Sequence, residues 1–182
     1  MKTHLRILVL TTILISTVLN GQEKYGKTLN LGLGIGYYGY AYAAPALSFN
    51  YEFDVFENFT VAPFLGISSY RGYYYWGDYN APYKSYRYRE TVIPIGAKGS
   101  YYFDSLLEAD EKWDFYAALS LGVVFRTYSW ESGYYGDKTF RNYRSPIFAN
   151  LHIGAEYHVS QKAGLFLDLS TGYSTVGLAL HF

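Results

Sequence analysis

Cysteine is absent from the chain, which removes a disulfide framework, a thiolate metal centre and a lipoprotein anchor, since each requires one. An excess of charge is missing too: 15 Lys+Arg stand against 15 Asp+Glu, so no basic footprint for a nucleic acid exists. No segment after residue 19 is apolar for the ~20 residues that a membrane-spanning helix needs, and no stretch repeats apolar residues with a period near 3.6. In place of these the chain carries 23 Tyr and 18 Gly, with 21% aromatic residues. That composition is far from an average soluble domain and suits strands with aromatic girdles and tight internal packing.

The N-terminus reads as an export signal. Lys2, His4 and Arg6 precede an apolar run from Ile7 to Leu19, and Asn20-Gly21-Gln22 offers a small-residue exit, the pattern of a cleaved secretory peptide. Cleavage after Gly21 is expected, giving a signal peptide over 1–21 and a single domain over 22–182. Loss of Lys2 and Arg6 without any acid takes the net charge from zero to −2. An exported chain without cysteine has to be held together by its fold alone.

Alternation with a period of two runs through the rest. Leu29, Leu31, Leu33 and Ile35 oppose Asn30, Gly32, Gly34 and Gly36; Leu47, Phe49, Tyr51 and Phe53 oppose Ser48, Asn50, Glu52 and Asp54. Val61, Leu65 and Ile67 carry a third strand. In a fourth, Ile93, Ile95, Ala97 and Tyr101 oppose Glu90, Lys98 and Ser100. Phe115 to Phe125 continues the pattern with Arg126 on the other face, and Ile147 to Tyr157 sets Leu151 and Ile153 against His152, Glu156 and His158. Leu165, Leu167 and Leu169 oppose Asp168, and Leu178, Leu180 and Phe182 oppose Gly177, Ala179 and His181. Eight strands of ~9–11 residues suit a bilayer, so the expected fold is all-β: an eight-stranded antiparallel up-and-down transmembrane β-barrel.

An even strand number puts Glu57-Asn58, Asp104 to Lys112 and Ser160 to Lys162 at the periplasmic end. Gly39 to Ala44, Arg71 to Ser85, Tyr128 to Arg144 and a tight turn at Gly172 to Ser174 then lie outside, the second and third as long loops. Pro63 and Pro94 fall within strands; proline cannot donate to a ladder, so each is expected to mark a bulge or register break. A soluble lipocalin-like barrel would alternate equally well with its apolar face inward. The polar face decides between them. It is narrow, mixed and rich in glycine, which fits a filled lumen better than a solvated surface.

Glu52, Asp54, Glu90, Lys98, Arg126, Glu156 and Asp168 therefore point inward. Lys98 and Arg126 are expected to pair with Glu52, Glu90 and Glu156, because an unpaired buried charge is costly. A gated ion pathway built from these groups is the functional alternative, but eight strands leave room for little more than side chains. His152, His158 and His181 also face inward. A lipid A- or phospholipid-modifying hydrolase would need a Ser beside a His, and the sequence places neither Ser120 nor Ser170 there. A metal site from His152, Glu156 and His158 would crowd three ligands onto one strand. No catalytic residue, metal ligand or cofactor is therefore assigned.

The Ile93-Pro94-Ile95-Gly96-Ala97-Lys98 stretch, the Gln22 start and the Gly177-Leu178-Ala179-Leu180-His181-Phe182 ending together resemble the small outer-membrane β-barrel family common in Bacteroidetes, similar in architecture to the transmembrane domain of outer-membrane protein A. The resemblance implies an integral protein of the bacterial outer membrane with no established enzymatic activity and with roles such as surface adhesion or secretion in some relatives. It also implies that Phe182 is the assembly signal read by the outer-membrane barrel assembly machinery. The outer connections carry Tyr74, Tyr75, Trp76, Arg87, Arg89, Trp130 and Arg141, expected to contact outer-membrane lipid and lipopolysaccharide, or a surface protein or glycan. Tyrosine supplies rigid contact area with a polar tip, and aromatic rings with cations also suit the headgroup level of a membrane.

Overall fold

The computed structural model describes residues 26–36, 44–103, 110–138 and 145–182. The expected signal segment, residues 39–43 of the first outer connection, residues 104–109 of the Asp104 to Lys112 turn and Arg141 lie outside the described residues. Alternating residues form eight strands: β1 (Lys27–Gly36), β2 (Ala44–Phe56), β3 (Phe59–Asp78), β4 (Ala81–Tyr102), β5 (Trp113–Trp130), β6 (Ile147–Ser160), β7 (Ala163–Ser170) and β8 (Tyr173–His181). Each pairs antiparallel with its neighbour, and β8 returns to β1 from Thr28↔His181 to Gly36↔Tyr173, closing the barrel. Closure leaves no open sheet edge in the barrel wall. At one end β2–β3 and β6–β7 are joined by tight turns. Asn58 takes a φ of 60° between β2 and β3, a left-handed conformation that asparagine tolerates.

The strands differ greatly in length. β7 and β8 have 8 and 9 residues, whereas β3, β4 and β5 have 20, 22 and 18. The segment Arg71 to Ser85, expected as a loop, is thus a hairpin paired from Phe59↔Tyr101 up to Asp78↔Ala81, and Tyr128 to Trp130 belongs to β5. Tyrosine-rich alternation is strand sequence even beyond the lipid belt, so β3, β4 and β5 rise above the rest as a crown.

Neither proline breaks the register. Pro63 faces Ala97 and Pro94 faces Val124 in continuous ladders. On the other flank of each, pairing lapses for two positions and resumes unchanged, from Asn50↔Phe64 to Phe53↔Val61 and from Leu65↔Ile95 to Ser68↔Val92. One missing N–H weakens a ladder without shifting a strand that is held on its other side. The irregularities lie instead next to turns, at Asp54/Phe56, Trp76/Asp78 and His158/Ser160.

Orientation follows the polar-inside reading. Leu33 is 64% exposed, Leu121 55% and Leu151 66%, within an outer belt of Leu, Ile, Val and Phe; Glu52, Glu90, Lys98, Glu156 and Asp168 are buried inside. A soluble carrier would have the opposite polarity. The interior is layered along β4, whose inward residues rise from Tyr102 and Lys98 through Val92 and Glu90 to Tyr88 and Tyr86. Val92 belongs to an apolar disc with Ala46, Val124, Tyr173 and Phe148. The Tyr173 ring lies where Gly36 and Gly66 leave space, since a Cβ on either would come within 2.3 or 2.1 Å of it.

Candidate functional site

Below the apolar disc, Asp168 of β7 is the hub. Its Oδ2 accepts from Lys98 Nζ at 3.2 Å and from Tyr116 OH at 2.9 Å, and its Oδ1 accepts from His152 Nδ1 at 2.7 Å. Lys98 therefore pairs with Asp168 and not with Glu52, Glu90 or Glu156, and its ammonium also lies 4.7 Å from the centre of the Tyr116 ring. Glu52 departs from expectation as well. It is held by neutral donors: Thr60 Oγ1, Tyr102 OH at 2.7 Å and Asn30 Nδ2 at 3.2 Å. Above the disc Glu90 does meet Arg126, 3.6 Å from its Nε, and accepts from Tyr128 OH at 2.9 Å. Asp54 lies near the tight-turn end and accepts from the Gly26 N–H at 3.2 Å.

His152 makes a second contact that reasoning from sequence missed. Its Nε2 lies 2.9 Å from Ser120 Oγ, so Ser120, His152 and Asp168 form a hydrogen-bonded chain of nucleophile, base and acid. The order of groups is that of a hydrolase; the surroundings are not. Ser120 is 1% exposed and opens only onto a cavity of about 40 Å³ shared with Ser48, Asn50, Phe64 and Thr175. Its backbone is paired to Lys98 on one side and Asn150 on the other, so the Ser120 N–H is committed to the ladder and not aimed at a developing oxyanion.

At the tight-turn end Glu156 accepts from His181 Nε2 at 2.7 Å, with His158 Nδ1 at 4.0 Å. His158 Nε2 donates to Asp114 at 2.6 Å and His181 Nδ1 lies 3.0 Å from Thr28 Oγ1. Phe182 follows, 77% exposed, its N–H donating to the Lys27 carbonyl at 2.9 Å.

The crown is filled by aromatic rings. Trp130 stacks on Tyr134 at 4.1 Å, and Tyr74, Trp76 and Tyr86 meet Tyr134 edge-on at 6.3, 5.3 and 5.2 Å. Tyr74, Trp76 and Trp130 therefore pack inward and are not free contact residues; Tyr75 faces out, against Tyr83. On the outer face Arg71 stands directly opposite Arg89, and Tyr73 opposite Arg87. These residues line an open cleft of about 540 Å³ with Ser129 and Glu131. Arg87 is tied to Glu131, whose Oε2 lies 3.5 Å from Nε and accepts the Arg87 N–H at 2.9 Å.

No protein-family model matches the sequence, and no curated protein does. Solved structures share the fold. The attachment invasion locus protein Ail of Yersinia pestis, solved in complex with the heparin analogue sucrose octasulfate, has a TM-score of 0.53 at 8% identity over 86% of this chain and 96% of its own. This chain has the closed eight-stranded barrel fold. Neisserial surface protein A (TM-score 0.47, 17% identity, 86% and 96% covered) and a designed transmembrane β-barrel (0.47, 14%, 87% and 98%) are also similar to it. At these identities the likeness is one of fold.

The barrel brings together groups that the period of two could place on the inner face but not at a height. Register supplies the height: Ala118↔His152 and Ser120↔Asn150 put His152 next to Ser120. The Arg71↔Arg89 opposition was within reach of the sequence once the Tyr-rich segment is taken as a hairpin and not a loop.

Proposed function

We propose that this protein is an integral barrel of the bacterial outer membrane whose crown binds phosphate or sulfate groups on surface saccharides. The observation that carries the reading is the direct opposition of Arg71 and Arg89 on the outward face of the β3–β4 hairpin. Like charges directly opposite across a sheet are destabilising, and an oxyanion seated between two guanidiniums turns that repulsion into paired charge-assisted hydrogen bonds. Arg71 lies four residues after Ile67 and Arg89 four before Ile93 of the apolar belt, or roughly 13 Å of strand, which sets them at the headgroup level. Ail, of the same fold, was solved with a sulfated saccharide, and the chemistry is alike. Phe182 closes the barrel and serves the assembly machinery. The apolar disc blocks the lumen, so the barrel conducts no solutes, and Ser120, His152 and Asp168 act as filling and not as a hydrolase.

Protein in lipid vesicles should bind lipopolysaccharide phosphate or a soluble heparin fragment with an affinity that falls with salt, and Arg71→Gln with Arg89→Gln should weaken it at least tenfold. A preference for phosphorylated over dephosphorylated lipid A identifies a membrane ligand, whereas binding of heparin alone identifies a host-type glycan. Unchanged affinity in the double variant for both probes would remove the proposal. Labelling of Ser120 by a fluorophosphonate would overturn the non-catalytic assignment.

A further inference from the structure

We propose that Glu156, His158 and His181 form a zinc-binding site at the tight-turn mouth of the barrel. One donor atom from each lies within 4.8 Å of the donor atoms of the other two. Bonds of ~2.0–2.1 Å in a tetrahedral site place ligand atoms roughly 3.4 Å apart. The 2.7 Å contact between Glu156 and His181 must open and the 4.0 Å contact with His158 must close, each by less than an ångström, and the two imidazole nitrogens, within 4.8 Å of each other, must approach by up to about 1.4 Å.

Two strands supply the ligands, which removes the crowding that three ligands on one strand would impose. Glu156 and His158 share the inner face of β6, and His181 comes from β8, although β7 lies between. The path over β7 is open because residue 164 is glycine: a Cβ there would fall 2.1 Å from Glu156 Oε1. His158 pairs with Gly164, and Gly164 with Ala179, so the glutamate leans across the one position without a side chain.

Each imidazole is also held by its other nitrogen. His158 Nε2–H donates to Asp114, and His181 Nδ1 faces the Thr28 hydroxyl. That is the outer-shell arrangement that fixes the ring and aims the remaining nitrogen at a metal. His158 Nδ1 and His181 Nε2 both point toward Glu156 Oε1. On binding, zinc takes the place of the proton between His181 Nε2 and Glu156, and the proton is released to solvent or moves to Nδ1, where Thr28 Oγ1 accepts it. The carboxylate and two neutral imidazoles leave a fourth position for water. A metal there joins β6 to β8 beside the seam where β8 closes on β1.

The test uses untagged protein folded in detergent, because a polyhistidine tag would mask the site. Titration with ZnCl₂ should show one zinc bound per chain and an upward shift in the temperature at which heat-modifiable migration is lost. His158→Gln and Glu156→Gln should abolish the shift, and Asp114→Asn should weaken binding by about 10- to 100-fold. His152→Gln, outside the site, should leave zinc binding unchanged. Where a variant fails to fold, Co²⁺ added to the wild-type barrel provides a second reading: a tetrahedral visible spectrum, displaced by zinc, supports the site. The proposal is overturned by wild-type protein that binds no zinc above the detergent blank and gives no tetrahedral cobalt spectrum. Zinc binding retained in both His158→Gln and Glu156→Gln overturns it equally.

Discussion

The same tube is filled in two ways. Around Asp168 the lumen is packed with charge and hydrogen bonds, whereas the crown above Glu90 is packed with rings that touch edge to face. The membrane section needs the polar filling because its apolar residues are committed outward to lipid, so the inner face falls to the opposite parity of each strand. The crown has water outside and no such demand. Its inner parity is free to carry Tyr86, Tyr88 and Trp130, and its outer parity carries Arg71, Arg87 and Arg89. One alternation thus yields a solvent-excluded ion network in one half and an aromatic plug with a basic exterior in the other.

The largest effect should come from breaking the lower filling. Lys98→Met leaves Asp168 with Tyr116 and His152 but no permanent cation, and loss of one partner of a buried pair costs about 3–5 kcal/mol. Adding Asp168→Leu should restore part of that, and unfolding in urea measures both. Full additivity would mean that water reaches Lys98 and that the lower lumen is not dry. Next comes the lipid face: Leu121→Arg or Leu151→Arg should each cost ~2–4 kcal/mol near mid-bilayer, measured by the same unfolding curve. Equal tolerance of arginine at both would place the barrel inside out.

The crown should respond more weakly. Trp130→Ala removes the stack on Tyr134, and an aromatic pair contributes about 0.5–1.5 kcal/mol beyond its buried area. The variant should open the crown to proteolysis while leaving the effect of Lys98→Met unchanged, because the two sites share no partner. A large coupling would show that the apolar disc at Val92 and Tyr173 transmits packing between the halves. The smallest effect is a pH dependence. The Arg87 backbone N–H, followed by the Arg87 charge, holds the Glu131 carboxyl below its ordinary value of 4.5. A lowered carboxyl in the folded state stabilises above the unfolded value and loses that contribution as pH falls through the folded one. Protection of the Arg87 amide, its exchange rate judged against the base-catalysed intrinsic rate, should therefore fall only below about pH 4.5, where unfolded carboxylates protonate, and should stay constant between pH 6 and 8.

The amino-acid sequence by itself determined the fold class, the strand number and the parity of the inward residues of the membrane section, from Asn30 to His181. Parity needs nothing beyond the period of two and a bilayer that punishes the wrong assignment. It did not determine partners. Lys98 has several acids of the right parity to choose from, and only the stagger between β4 and β7, set by closure of β8 onto β1, brings it to Asp168 and not to Glu52. Closure likewise delivers Ser120 to His152 and carries Glu156 over Gly164 to His181, because a residue's height in a barrel is fixed by the summed register of all eight strands. The crown was misread as loop for a related reason. Tyr73, Tyr75, Tyr83 and the inward Tyr74 and Tyr86 satisfy a strand as readily as a binding loop, and the pairing of β3 with β4 across Asp78 and Ala81 is what makes them one.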